Sequence, residues 1–211
     1  MKIIKPSVEL MNAMSEKDLI EHLEACGRTC YKSESKITEG SAEKFVKNII
    51  ARSHGAVLEH VSISVRFTCD RGVSHEIVRH RIASYCQEST RYCNYSVETF
   101  GRTVTVIEPC YLLDKPDAYM EWQASCNDAE ARYFRMLELG CTPQEARAVL
   151  PHSTKTEVVM TANPREWRHF FELRCAPTSH PQMVEVAMMA LDLLNKNYPS
   201  LFGDIYREYH E

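Results

Sequence analysis

Three features of the sequence predict an α/β (α+β) fold, a mixed central sheet with flanking helices, formed as one domain over residues 1–211. Residues 61–70, VSISVRFTCD, alternate strictly. Val61, Ile63, Val65, Phe67 and Cys69 fall on one face and Ser62, Ser64, Arg66, Thr68 and Asp70 on the other, as in a half-buried strand. TVTVIEP (103–109) and TKTEVVMTA (154–162) read as further strands. Between and after them run segments with helical apolar spacing and recognisable caps, and helix dominates the C-terminal half.

In chain order, SEKDLIEHLEACG (15–27) has Ser15 as N-cap, apolar residues at helical spacing and Gly27 as a stop. SAEKFVKNIIARSHG (41–55) repeats this grammar from Ser41 to Gly55. After the 61–70 strand, Val73 to about Ile82 suits a short helix, so RHRIASYCQESTRY (79–92) begins near that helix's C-terminal end. The strand at 103–109 closes at Pro109, and a long helix follows over 117–139 to Gly140. TPQEARAVL (142–150) places Thr142 at the N-cap, Pro143 at the first helical position and Glu145 where it completes a capping box. NPREWRHFFELR (163–174) repeats the pattern with Asn163, Pro164 and Glu166. A helix over 181–196 is apolar enough, at Met183, Val186, Ala187, Leu191 and Leu194, to serve as core or interface. No repeat, low-complexity tract or linker interrupts the chain.

A chain of 211 residues buries roughly 70% of its unfolded surface and needs no disulfide or metal for stability. With 29 acidic and 25 basic residues the net charge is -4, which argues against bulk nucleic-acid binding but not against one small phosphate ligand held by a local cluster. The nine cysteines include no CxxC pair, which weakens zinc and redox readings. MKIIKPSVELMNAM lacks the apolar core and cleavage site of a signal peptide, so the expected setting is the reducing cytoplasm with mostly free thiols. No apolar stretch approaches the length of about 18 residues that reads as a membrane span.

The densest chemistry lies in residues 79–92. Guanidinium groups match phosphate bidentately and stay charged, so Arg79, Arg81 and Arg91, with Ser84 and Ser89, suit one or two phosphate groups. A charged helix end paired with Glu76 and Glu88 explains the same residues without a ligand. There is no GxGxxG and no GxxxxGK[ST], and only seven glycines, so a bound nucleotide has neither a Rossmann turn nor a P-loop. Side chains and helix N-termini must hold the phosphates, and Asn163-Pro164-Arg165 is one such N-terminus. His54 and His60 flank Glu59, and His75 and His80 lie five apart, but neither spacing matches a zinc motif, and no metal is expected. Cys86 and Cys93 lie near the cationic stretch, where a nucleophilic thiolate competes with the commoner reading of cysteine as a small buried apolar residue.

Several separated blocks together resemble the flavin-dependent thymidylate synthases, the ThyX family. The family's hallmark is an RHR triplet followed at fixed spacing by Ser, Ser and Arg, here Arg79-His80-Arg81, Ser84, Ser89 and Arg91. EARAVLP (145–151), NPREWRHFFELR (163–174), SHPQ (179–182) and HGAVLEH (54–60) agree in order and spacing, and the likeness spans about residues 20 to 200. It implies reductive methylation of dUMP to dTMP, with methylenetetrahydrofolate as carbon donor, FAD as hydride carrier and NADPH as reductant of the flavin. Carried over by position, His54, Arg79, His80, Arg81, Gln87, Asn163, Arg165 and His169 contact FAD. Glu76, Arg79, Gln87, Glu88, Ser89, Thr90, Arg91, Arg147 and Arg174 form the dUMP site, with Arg91 on the phosphate and Arg174 against the uracil ring. Arg174 and Ser89 are the implied catalytic residues, Ser89 positioning substrate rather than attacking it. The resemblance also implies a homotetramer with active sites shared between subunits.

The chain departs from the family's common pattern at Cys86-Gln87, where Asn-Glu is frequent, at Glu76, at Ala56 and at His169. Three alternatives stand beside the resemblance: a flavoprotein of the same fold acting on another pyrimidine nucleotide, a non-catalytic nucleotide or nucleic-acid-binding module, and an α/β oligomeric scaffold with charged helix ends and no ligand.

Overall fold

A computed structural model describes residues 1–11, 14–97 and 101–211. In chain order these form β1 (Lys2–Ile4), β2 (Ser7–Leu10), α1 (Glu16–Thr29), α2 (Ser41–Ala51), β3 (Ile63–Asp70), α3 (Arg71–Ile77), β4 (Ala83–Gln87) and β5 (Thr105–Ile107). There follow α4 (Pro116–Glu138), α5 (Pro143–Ala146), β6 (Lys155–Ala162), α6 (Pro164–Arg174), α7 (Pro181–Asn197) and α8 (Pro199–His210). The mixture of sheet and helix is the α+β class the sequence predicts.

Four strands form a sheet in the order β2-β3-β6-β4. β1 pairs in parallel with β5, Lys2 opposite Thr105 and Ile4 opposite Ile107. The alternation in β3 does what its period requires: Ile63, Val65, Phe67 and Cys69 are all completely buried. β6 alternates likewise, burying Thr156, Val158, Met160 and Ala162.

The chain divides into two compact units and passes between them within β2, β3, β4 and β6 and between Arg79 and His80. The first comprises Met1–Ser7, Phe67–Arg79 and Cys86–Val158, the second Val8–Arg66, His80–Tyr85 and Val159–Glu211. In the first, a cluster of Tyr95, Val104, Val106, Cys126, Tyr133 and Ala146 forms the core, and Trp122 packs against it while donating a 2.8 Å hydrogen bond to Ser153. In the second, Trp167, Phe170 and Phe171 of α6 are fully buried. Phe171 meets Phe202 of α8 edge-on, with ring centroids 5.8 Å apart. The Trp167 indole N–H donates to the carbonyl of Ile63 at 3.0 Å, which satisfies the one polar atom that so large a buried ring brings inside.

Several boundaries differ from expectation for local reasons. Ser15 caps α1 as predicted, accepting from the Asp18 N–H, but Gly27 lies inside that helix rather than ending it. A Cβ at Gly27 would stand 2.5 Å from Phe45 Cζ, so the glycine lets the Phe45 ring of α2 approach α1. α2 ends at Ala51, and Gly55 instead opens a short 3-10 turn, Gly55–His60. α3 stops at Ile77, and residues 83–87 join the sheet as β4, alternately half-buried and exposed. Thr142 and Glu145 form the predicted capping box, the Thr142 N–H and hydroxyl both 2.7 Å from the Glu145 carboxylate.

Candidate active site

In the second unit, α6 organises the expected ligand-facing residues. Asn163 is its N-cap, the side-chain oxygen accepting from the Glu166 N–H at 2.9 Å, and Pro164 follows at the first position. Arg165 and His169 lie four residues apart and so share one helix face. With Asn163 they line a cleft of about 530 Å3 whose apolar wall includes Leu58 and Ile82. Arg165 pairs with Glu59, Nη1 to Oε1 at 2.5 Å. Gly55 faces this arginine: a Cβ there would come within 3.1 Å of Arg165 Cδ and Nε. A neighbouring cleft of about 870 Å3 is also lined by Gly55 and Arg165, and adds Arg28, Arg52 and His54.

His80 is 5% exposed and sits between two partners from α6. Its Nε2 lies 3.1 Å from Arg174 Nε, and its Nδ1 lies 3.2 Å from Glu166 Oε1. Arginine Nε can only donate, so Nε2 must carry the lone pair and Nδ1 the proton that it donates to Glu166. The ring is therefore neutral, in agreement with burial, which lowers the His80 pKa to about 4 with help from Arg174 and His169. The contact with Glu166 is thus a hydrogen bond from a neutral imidazole, and no ion pair. Burial in turn raises the Glu166 pKa, only partly offset by His169 and Arg165. The rings of His169 and Phe170 stand 5.7 and 4.9 Å from that of His80, and the Tyr85 hydroxyl donates to the His80 carbonyl at 2.6 Å.

In the first unit, the end of β4 and the segment after it are held from several sides. Gln87 Nε2 donates to the hydroxyls of Ser74 at 2.9 Å and Thr156 at 3.3 Å. Glu88 accepts from Lys155 at 2.9 Å, and Lys155 also meets Glu157 at 2.6 Å. Burial alone would lower the Lys155 pKa, but the two carboxylates outweigh it and raise the value. Thr90 is buried and its hydroxyl accepts from Arg147 Nη1 at 3.2 Å. The Arg91 N–H donates to Ser89 Oγ at 3.3 Å, and the Arg91 guanidinium lies 5.4 Å over the Tyr92 ring. Glu76 is half-buried on α3, while Arg79 and Arg81 are exposed.

The expected residues thus gather in local groups: Asn163, Arg165 and His169 at one cleft, His54 at its neighbour, His80 with Arg174, and Thr90 with Arg147. The RHR triplet straddles the two units, Arg79 in the first and His80 and Arg81 in the second. Sequence reasoning missed the part played by Glu166, which it took only as a capping residue, and by Tyr85 and Lys155. All nine cysteines are unpaired, and burial and Glu88 raise the Cys93 pKa, which keeps that thiol protonated. Among the described residues no group of three or more His, Cys, Asp or Glu gathers as a metal site, and no helix is long and apolar enough to cross a membrane.

The two clefts combine cationic side chains with apolar walls, on an α+β scaffold without a glycine-rich phosphate loop. The sequence model of the family described as "Thymidylate synthase complementing protein" matches residues 9–200. A flavin-dependent thymidylate synthase of Pyrococcus furiosus is 31% identical over 171 residues, covering 81% of this chain and 69% of that protein. One from Mycobacterium avium (strain 104) is 34% identical over 200 residues, covering 86% and 78%. The crystal structure of a UMP/dUMP methylase, PolB from Streptomyces cacaoi, bound with 5-Br dUMP, shares the fold with a TM-score of 0.78 at 24% identity over 96% of each chain. The chain belongs to the flavin-dependent thymidylate synthase family.

Proposed function

We propose that this chain is a flavin-dependent thymidylate synthase, an enzyme that converts dUMP to dTMP by reductive methylation. Methylenetetrahydrofolate serves as carbon donor and NADPH as the reductant of FAD. Family membership over residues 9–200 supports the reaction class. The residues present fit a flavin: two clefts share the Gly55–Arg165 contact, where the missing Cβ lets the Arg165 side chain pack close, with cations on the walls and Leu58 and Ile82 as apolar surface of one of them.

His54, Arg79, His80, Arg81, Gln87, Asn163, Arg165 and His169 would hold the FAD. When bound, it supplies the reducing equivalents that the folate would otherwise lose. Glu76, Arg79, Gln87, Glu88, Ser89, Thr90, Arg91, Arg147 and Arg174 would hold dUMP, Arg91 at the phosphate. The Arg174 guanidinium stabilises negative charge on the uracil ring and so makes C5 the nucleophile, an electrostatic contribution that needs no protein thiolate. Ser89 orients the nucleotide, and the protonated Cys93 thiol has no part in the step. The remaining work is orientation and exclusion of water. The enzyme acts as a cytoplasmic homotetramer, with residues 1–211 as one functional domain.

The observation that carries the reading is that Asn163 at the N-cap of α6, with Arg165 and His169 on one face of the helix, lines a single cleft beside Gly55. Purified protein is expected to be yellow and to release FAD on denaturation. A colourless protein that takes up no added FAD contradicts it.

A further inference from the structure

We infer that Glu166 is a positioning residue for this reaction, fixing the Arg174 guanidinium through the imidazole of His80. The inference rests on the function proposed above and adds to it a residue outside the flavin and nucleotide sets.

The geometry is a three-member relay. Glu166 Oε1 accepts from His80 Nδ1 at 3.2 Å, and His80 Nε2 accepts from Arg174 Nε at 3.1 Å. Which ring nitrogen of a histidine bears the proton is set by the partner of the other. With Glu166 on Nδ1, the lone pair is left on Nε2, where the Arg174 N–H needs it. A proton on Nε2 would set two N–H groups against each other and turn the guanidinium away. The groups facing His80 are Glu166, His169 and Arg174 from α6, and Tyr85 from β4. Burial opposes a positive charge on the ring, as do two of them, Arg174 and His169; together they lower the His80 pKa to about 4, so the ring is neutral above that pH. The imidazole cannot easily turn: Phe170 packs at 4.9 Å, and Tyr85 holds its backbone carbonyl.

Glu166 and Trp167 are consecutive buried residues of α6, yet their tasks differ. Trp167 packs in the core, whereas Glu166 spends its backbone N–H on the Asn163 cap and sends its carboxylate to His80. A carboxylate that is only 7% exposed is costly to bury. A helix cap alone needs nothing from it beyond the backbone.

The test compares Glu166→Gln, whose side-chain oxygen still accepts from Nδ1–H, with Glu166→Leu, which has no acceptor. Nitrogen-15 NMR of labelled histidine at pH 7 reads the tautomer directly, and steady-state kinetics with dUMP read its consequence. Wild type and Glu166→Gln are expected to show a protonated Nδ1 and an unprotonated Nε2 at His80. Glu166→Leu is expected to lose this signature and to drop kcat for dTMP formation by roughly ten- to a hundredfold, more than KM rises, while Glu166→Gln stays within about threefold. A wild-type His80 protonated on Nε2 overturns the inference without any variant, as does a Glu166→Leu enzyme with full kcat or an equal loss in both variants. Wild type that makes no dTMP removes the underlying function instead, and is told apart from these outcomes by that assay alone.

Discussion

Arg147 and Thr90, 57 positions apart in sequence, are joined by a 3.2 Å hydrogen bond from Nη1 to the threonine hydroxyl. Thr90 is buried and Arg147 exposed, so the arginine reaches in to anchor the segment that runs from Gln87 to Arg91. Arg147→Ala removes both this brace and a positive charge expected at the nucleotide. A hydrogen bond involving a charged group contributes about 1.5–3 kcal/mol, so KM for dUMP is expected to rise at least about tenfold with a smaller change in kcat. Steady-state kinetics at varied dUMP check it, and an unchanged KM contradicts it.

Gly55 sits against a flexible side chain, with Arg165 Cδ and Nε only 3.1 Å from where a Cβ would lie. Gly55→Ala should therefore leave the fold intact, since the end of an arginine can yield, while displacing the guanidinium from both clefts. FAD affinity is expected to fall about tenfold, the equivalent of one good hydrogen bond, with little change in the melting temperature. Fluorimetric titration of the apoprotein with FAD measures it.

Trp167 is fully buried and donates to the Ile63 carbonyl at 3.0 Å. Trp167→Phe keeps an aromatic ring but leaves a small void and removes the hydrogen bond to the Ile63 carbonyl, a loss of about 1–3 kcal/mol in unfolding free energy. Urea denaturation followed by circular dichroism tests this, and an unchanged midpoint argues against the packing described for α6.

Arg168 of α6 grips Asp204 of α8 bidentately, at 2.8 and 2.6 Å. Burial works against ionisation of Asp204, but the Arg168 hydrogen bonds outweigh it and hold the pKa below the ordinary value of 3.8. A depressed folded-state pKa stabilises above the unfolded value, and that stabilisation is lost as pH falls through the folded value. Asp204→Asn should thus be less stable than wild type at pH 7 and converge with it under acid conditions. The carboxylate is nearly half exposed, so solvent screening limits the difference to at most about 1 kcal/mol. Urea midpoints of both proteins across a pH series provide the measurement.

Elements with a clean period were legible in the sequence. β3 announced itself through Ile63, Val65, Phe67 and Cys69, and the capped starts of α1, α5 and α6 through Ser15, Thr142 and Asn163. The short strands were not, because β1, β2 and β4 have three to five residues and take their order from pairing within sheets rather than from their own pattern. Gly27 was misread because its role is set by Phe45, 18 positions later, which no local rule contains. α8 was overlooked despite a usable signal, Pro199 at the first turn and Leu201, Phe202 and Ile205 at helical spacing. Among the site residues, the cationic triplet and the Asn163-Pro164-Arg165 start stood out by residue type. Glu166 did not, since a cap explains it locally and only folding brings His80 to its carboxylate.

The central claim is the reaction itself, and one assay reaches it directly. Protein fully loaded with FAD is supplied with dUMP, methylenetetrahydrofolate and NADPH, and both nucleotide and folate products are identified. The expected result is dTMP accompanied by tetrahydrofolate, since the reducing equivalents come from the flavin. The contradicting result is no dTMP with FAD bound, or dTMP accompanied by dihydrofolate.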